Sequence, residues 1–212
     1  MEIFSTVILT VGIIAFAVSG AMIAIRRKTD LFGVIMLAIL TALGGGLSRD
    51  VIFGFTPPSM FYMRDYLLLS VLVAVLVFLC ARSYSKPYLE NETKIEHIND
   101  IFDALGLGIF AVVGTQVAIQ YGYTDNAIIV IGSGLKTCIG GGIIRDILTM
   151  SVPFVLVKRI YAIAAICGSA VYYIMFLLQI NDGIAILAGT LTTFILRILA
   201  MAFKWNFPKA IK

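Results

Sequence analysis

Gly44-Gly45-Gly46-Leu47-Ser48-Arg49-Asp50 and Gly140-Gly141-Gly142-Ile143-Ile144-Arg145-Asp146 are two copies of one pattern, GGGxxRD, within a single chain. A proline follows each aspartate seven residues later, Pro57 in the first copy and Pro153 in the second. The likeness extends upstream. Ala15-Phe16-Ala17-Val18-Ser19-Gly20 aligns with Ile109-Phe110-Ala111-Val112-Val113-Gly114, and Ala24-Ile25 with Ala118-Ile119. Self-similarity on this scale marks a repeated structural unit.

The unit is read from the apolar runs around it. A helix needs about 20 apolar residues to cross a ~30 Å hydrocarbon core. Seven runs qualify: 3–25, 31–53, 66–82, 99–120, 127–149, 159–179 and 184–203. They are continuously apolar, whereas strands of a membrane barrel alternate over about ten residues. The fold expected is an all-α integral membrane protein with seven transmembrane helices. Residues 1–212 form a single membrane domain, with a first three-helix repeat at 1–82, a second at 99–179 and a seventh helix at 184–203. Met1-Glu2 carries no basic n-region, so the first run reads as a retained span rather than a signal peptide. An odd number of spans per copy makes the second copy enter the membrane from the opposite face. Inverted repeats of this kind belong to transporters and related pores, with the functional path near the midplane between the copies.

Composition agrees. Of 212 residues, 60% are hydrophobic and only 13% charged, and the mean hydropathy is +1.02. Soluble domains carry about twice that share of charge. A soluble enzyme, a disordered chain and a nucleic-acid binder are thereby excluded; the expected surroundings are a lipid bilayer. The basic balance reports topology instead. Eleven Lys and Arg fall in loops on one side (Arg26, Arg27, Lys28, Arg82, Lys86, Lys94, Lys158, Arg159, Lys204, Lys209, Lys212), and only Arg64 on the other. The positive-inside rule then places the C-terminus in the cytoplasm and the N-terminus outside. The linker from Arg82 to Ile98 reads as a solvated cytoplasmic connection between the copies.

Three consecutive glycines cost a helix about 1 kcal/mol each relative to alanine. An unwound backbone in lipid survives only where it is buried in protein or lines a wet cavity. Gly44, Gly45 and Gly46, with Gly140, Gly141 and Gly142, therefore suggest two kinked, pore-lining helices whose freed carbonyls suit a cation. Thr41, Ser48 and Thr137 could add pore hydroxyls. Arg49-Asp50 and Arg145-Asp146 lie near opposite ends of their spans and read as charged anchors at two pore mouths. Neighbours in sequence do not face each other on a helix, so these charges are expected to pair with other groups. Lys136, in the middle of the fifth span, reads as a pore residue that limits cation passage. Arg197 is either a snorkelling residue or an interior one. Gly20, Gly106, Gly108, Gly114, Gly132, Gly134, Gly168 and Gly189 read as helix-packing positions.

Little else carries chemistry. Cys80, Cys138 and Cys167 are scattered in apolar runs and form no CxxC pair. His97 is the only histidine and falls in a polar linker. There is no HExxH and no Ser/His constellation, so neither an enzyme nor a metal site is expected, nor any cofactor beyond permeant ions.

The doubled GGGxxRD, the prolines and the seven spans resemble the prokaryotic branch of the trimeric intracellular cation (TRIC) channels, a family also labelled a glycine transporter domain family. The resemblance covers the whole chain and is strongest over 12–58 and 106–153. It implies a homotrimer in a prokaryotic cell membrane, each subunit with its own pore between the second and fifth helices, passing K⁺ and also Na⁺. The alternative is a secondary transporter of a small solute such as glycine, which inverted repeats fit equally well. One departure stands out. The resemblance leads one to expect an acidic residue early in the first span of both copies. The second copy has Asp103, but the matching position in the first is Leu9.

Overall fold

The computed structural model describes residues 2–83, 92–157 and 160–205. Seven longer helices carry the fold: α1 Glu2–Arg26, α2 Leu31–Phe53, α3 Arg64–Ser83, α4 Glu92–Gln120, α5 Ala127–Leu148, α6 Tyr161–Leu177 and α7 Asp182–Ala202. A 3₁₀ turn, Ser59–Tyr62, follows α2, and a one-turn helix, Phe154–Val157, follows α5. All except the short turns and α6 are long and apolar enough to span a membrane. At 17 residues α6 is about 25 Å long, a shorter apolar helix.

Local signals place the helix ends. Asp30 accepts the Gly33 N–H at 2.8 Å at the start of α2, and Asn126 accepts the Ile129 N–H at 3.1 Å at the start of α5. Asn181 does the same for Gly183 at the start of α7. Gly54 ends α2 at φ 73°, a left-handed cap that suits glycine. The expected bounds shift by a few residues, most at α4. That helix begins at Glu92, not near 99, so Ile95 and Asn99 are already buried. Glu96, near its start, suits the positive end of the helix dipole, which favours helix over the open linker expected there. His97 is exposed. The remainder of the linker, with Lys86, lies outside the described residues, as do Lys158, Arg159, Lys209 and Lys212.

Contacts at the two ends fix how the repeats are related. Arg26 at the end of α1 lies 4.0 Å from Glu96 at the start of α4. At the opposite end Phe55, just after α2, stacks on Tyr121, just after α4, with ring centroids 3.6 Å apart. α1 and α4 therefore run antiparallel, and each opens a three-helix unit entering from the other end. Phe16 and Phe110, matching residues of the two copies, stack on each other at 5.1 Å. The pseudo-two-fold axis passes between them.

The core lies where α1, α2, α4 and α5 meet, around Phe16, Val34, Leu37, Leu107 and Phe110. α3 sits at the periphery and buries only Ser70, Val73 and Ala74. Its Leu68, Leu72, Leu76 and Leu79 share one face and are each more than half exposed. An apolar stripe of that size left open is a lipid-facing surface. The proposed packing glycines mostly hold: Gly106 abuts the Phe16 ring, Gly108 the Thr190 carbonyl, and Gly168 the Gly189 carbonyl. Gly132 is the exception, with open space where a side chain would be.

Candidate functional site

α2 and α5 cross at the glycine triplets, and the crossing is two-fold symmetric to the atom. A Cβ placed on Gly45 would overlap the Thr137 carbonyl oxygen, and one on Gly141 would overlap the Thr41 carbonyl oxygen. Thr41 and Thr137 are buried, and each hydroxyl donates to the carbonyl four residues earlier in its own helix, Leu37 at 2.6 Å and Ser133 at 2.7 Å. Gly20 of α1 packs on the Thr41 hydroxyl, and Gly114 of α4 packs on that of Thr137. Ser48 faces Gly140, with its hydroxyl donating to the Gly45 carbonyl at 3.0 Å. Gly44 faces Ile144, which takes the place of Ser48 in the second copy.

The unwinding expected at the triplets does not occur. Both helices remain α-helical through Gly44, Gly45 and Gly46 and through Gly140, Gly141 and Gly142, so no carbonyls are freed there. Close backbone approach replaces the break. Two helices in contact at Cα offset the poor helix propensity of glycine by van der Waals packing, the usual driving force in membranes.

The charged pairs also differ from expectation, because each arginine pairs with the aspartate beside it. Arg49 Nε and Nη2 donate to Asp50 Oδ1 at 2.8 and 2.6 Å. Arg145 Nε donates to Asp146 Oδ1 at 2.8 Å. The guanidinium arm is long enough to fold back to its neighbour in the last turns of a helix. The second carboxylate oxygen then clasps the chain that follows. Asp50 Oδ2 accepts the Ser59 N–H at 2.8 Å and its hydroxyl at 2.6 Å, and Asp146 Oδ2 accepts the Phe154 N–H at 2.8 Å. Both clasped amides directly follow a proline. Pro58, not Pro57, is thus the structural counterpart of Pro153, because the first loop holds one residue more.

Around the arginines the symmetry fails. Arg145 is fully buried; its Nη1 donates to Asp103 at 3.0 Å and to Ser19 of α1 at 2.9 Å, and its guanidinium lies 4.7 Å over the Phe154 ring. Around Arg49, Leu9 and Val113 hold the places that Asp103 and Ser19 hold around Arg145. With Arg49, Gly46, Ser59 and Thr137 they line a small cavity of about 30 Å³. Arg197 does not snorkel; it is fully buried with its guanidinium 4.6 Å over the Tyr161 ring. Ser19, Ser59 and Tyr161 were not singled out from the sequence. The Ser59 role had a signal, a residue after a proline at a fixed distance from a repeated aspartate. Lys136 lies in mid-α5, half-buried, on the face that carries the open Gly132, and makes no ion pair among the described residues. Among the described residues no cluster of three or more His, Cys, Asp or Glu is placed to hold a metal ion.

The fold is shared with known proteins. The family model described as Glycine transporter matches residues 6–82 and 100–176. A UPF0126 membrane protein of Vibrio cholerae serotype O1 is 36% identical over 199 residues, covering 93% of this chain and 79% of the relative. A prokaryotic TRIC channel crystallised in 0.5 M KCl superposes with a TM-score of 0.86 at 34% identity, over 98% of this chain and 100% of the other. The TRIC trimeric intracellular cation channel orthologue from Rhodobacter sphaeroides superposes with a TM-score of 0.83 at 30% identity, over 94% and 98%.

Proposed function

This chain belongs to the glycine transporter family of multi-pass membrane proteins, and on that premise we propose that it is a passive channel for monovalent cations, K⁺ and also Na⁺. One observation carries the reading: the fold matches that of TRIC cation channels from end to end at 30–34% identity. The solved relatives are channels, not enzymes, and nothing in this site suggests bond-making chemistry.

Each protomer holds its own path along the α2–α5 crossing, with Thr41, Ser48 and Thr137 beside it and Lys136 limiting passage. The two Arg–Asp clasps, Arg49 with Asp50 and Arg145 with Asp146, anchor its ends. The small cavity beside Arg49 and Thr137 supports this, since it adjoins the crossing at one end. Residues 1–82 and 99–179 act as inverted halves and 184–203 as the added helix. The protomers form a homotrimer in a prokaryotic cell membrane, with the N-terminus outside and the C-terminus cytoplasmic.

Purified protein in a planar bilayer under a KCl gradient tests the proposal. Stepwise currents reversing toward the K⁺ equilibrium potential are expected. Correctly folded protein that passes no K⁺ would overturn it. The family's description favours a second reading, a secondary transporter of glycine; saturable, gradient-coupled uptake without current steps would establish that instead.

A further inference from the structure

A cleft of about 680 Å³ opens away from the α2–α5 crossing, between the ends of α4 and α6 and the start of α7. It has a polar half and an apolar half. Asp182 is the one charged residue in its lining; Gln116, Gln120, Thr124 and Gln179 add neutral polar groups. Tyr172 donates its hydroxyl to Asp182 Oδ1 at 2.7 Å, which fixes the carboxylate and leaves Oδ2 outside that bond. Ile119, Phe176, Leu177 and Ile180 form the apolar half. Leu177 is 55% exposed and its neighbour Leu178 66%, so this half opens onto the lipid-facing side of the bundle. The cleft lies at the helix ends, the depth at which lipid headgroups sit. It is also the end whose loops hold a single basic residue, Arg64.

We infer that this cleft binds the headgroup of a zwitterionic lipid carrying a primary ammonium, with the ammonium on Asp182 and the acyl chains along Ile119, Phe176 and Leu177. A carboxylate with no Lys or Arg in the lining selects a cation and repels an anionic headgroup. Glutamine amides supply N–H donors for the phosphate oxygens without adding charge. The volume is many times that of a bare metal ion, and the apolar wall gives a free amine nothing to hold.

Native mass spectrometry of the full chain in detergent, titrated with phosphatidylethanolamine or phosphatidylglycerol of matched chains, tests this. The wild type is expected to retain phosphatidylethanolamine at lipid concentrations where phosphatidylglycerol is lost. Asp182→Asn should weaken that retention about tenfold, and Tyr172→Phe severalfold. Asn181 still caps α7 in these variants, and Gln179→Ala, outside any helix, gives a second probe should either fail to fold. Retention of phosphatidylethanolamine unchanged by Asp182→Asn would overturn the proposal, as would equal retention of phosphatidylglycerol. Displacement by millimolar ethanolamine would show a site for free amines. Loss of oligomer without loss of lipid in these variants would show a subunit contact instead. The readout is independent of conductance.

Discussion

Arg145 Nη1 lies 3.0 Å from Asp103 Oδ1 across the α4–α5 interface, with both side chains sealed from solvent. Through Ser19 the same nitrogen also reaches α1. The first repeat lacks this tie, since Arg49 bonds only Asp50 and Ser59 among the described residues, both of them on α2 or the turn that follows it. One end of α5 is therefore fastened to two neighbouring helices by charged bonds, whereas among the described residues the charged bonds at the matching end of α2 reach only the turn that follows it.

Removing Asp103 leaves Arg145 paired with Asp146 and takes away the charge-assisted bond across the interface, at a cost of about 1.5–3 kcal/mol. Asp103→Leu should lower the thermal midpoint of the purified protein relative to the wild type. A midpoint for Asp103→Leu equal to that of the wild type would mean that the ion pair contributes no net stability.

Gly45→Ala and Gly141→Ala should each drive α2 and α5 apart, because the added methyl meets a backbone carbonyl that cannot move aside. Gly132→Ala meets nothing and should be neutral or slightly stabilising, since alanine favours a helix by about 1 kcal/mol. Thermal midpoints in detergent compare the three. If Gly132→Ala proves as harmful as Gly45→Ala, the close crossing is not what the glycines serve.

The architecture was legible because two strong physical signals agree. Long apolar runs leave a membrane chain few options besides helices, and the doubled GGGxxRD fixes the pairing of copies. What the glycines do was less legible. A triplet lowers helix propensity and permits close approach, and the sequence does not say which effect wins. In this fold Thr41 and Thr137 present carbonyls where only a glycine fits, so packing wins. The Arg–Asp pairing was hidden for a related reason. Spacing rules describe Cβ directions, and a guanidinium at the end of a long arm escapes them. The burial of Arg197 had no local signal, because Tyr161 lies 36 positions earlier on another helix.

Ser59 supplies both hydrogen bonds to Asp50 Oδ2, one from its N–H and one from its hydroxyl. Ser59→Ala keeps the first and loses the second, a charge-assisted bond of about 1.5–3 kcal/mol. Amide hydrogen exchange over 58–63 should speed up severalfold while the rest of α2 is unchanged. Uniform exchange across this segment would show that the clasp does not hold the turn.

Orientation has its own test. In a background lacking the native cysteines, Thr29→Cys should react with an impermeant thiol reagent only from the cytoplasmic face. Asp125→Cys should react only from outside, in keeping with the distribution of Lys and Arg. Reversed labelling of the pair would invert the assigned topology.

On the proposed path, Lys136 is the residue expected to limit permeation. A lysine at the centre of a span costs about 2.5–3.5 kcal/mol to insert and is kept where it does work. At ~8 Å from a passing cation and an effective dielectric near 40, its charge opposes passage by about 1 kcal/mol, roughly fivefold in rate. Lys136→Ala should therefore raise single-channel K⁺ conductance severalfold, while Lys136→Arg stays near the wild type. Thermal midpoints taken alongside separate the two possible roles. Conductance unchanged in Lys136→Ala, together with a lowered midpoint, would make Lys136 a structural residue and move the ion path away from α5.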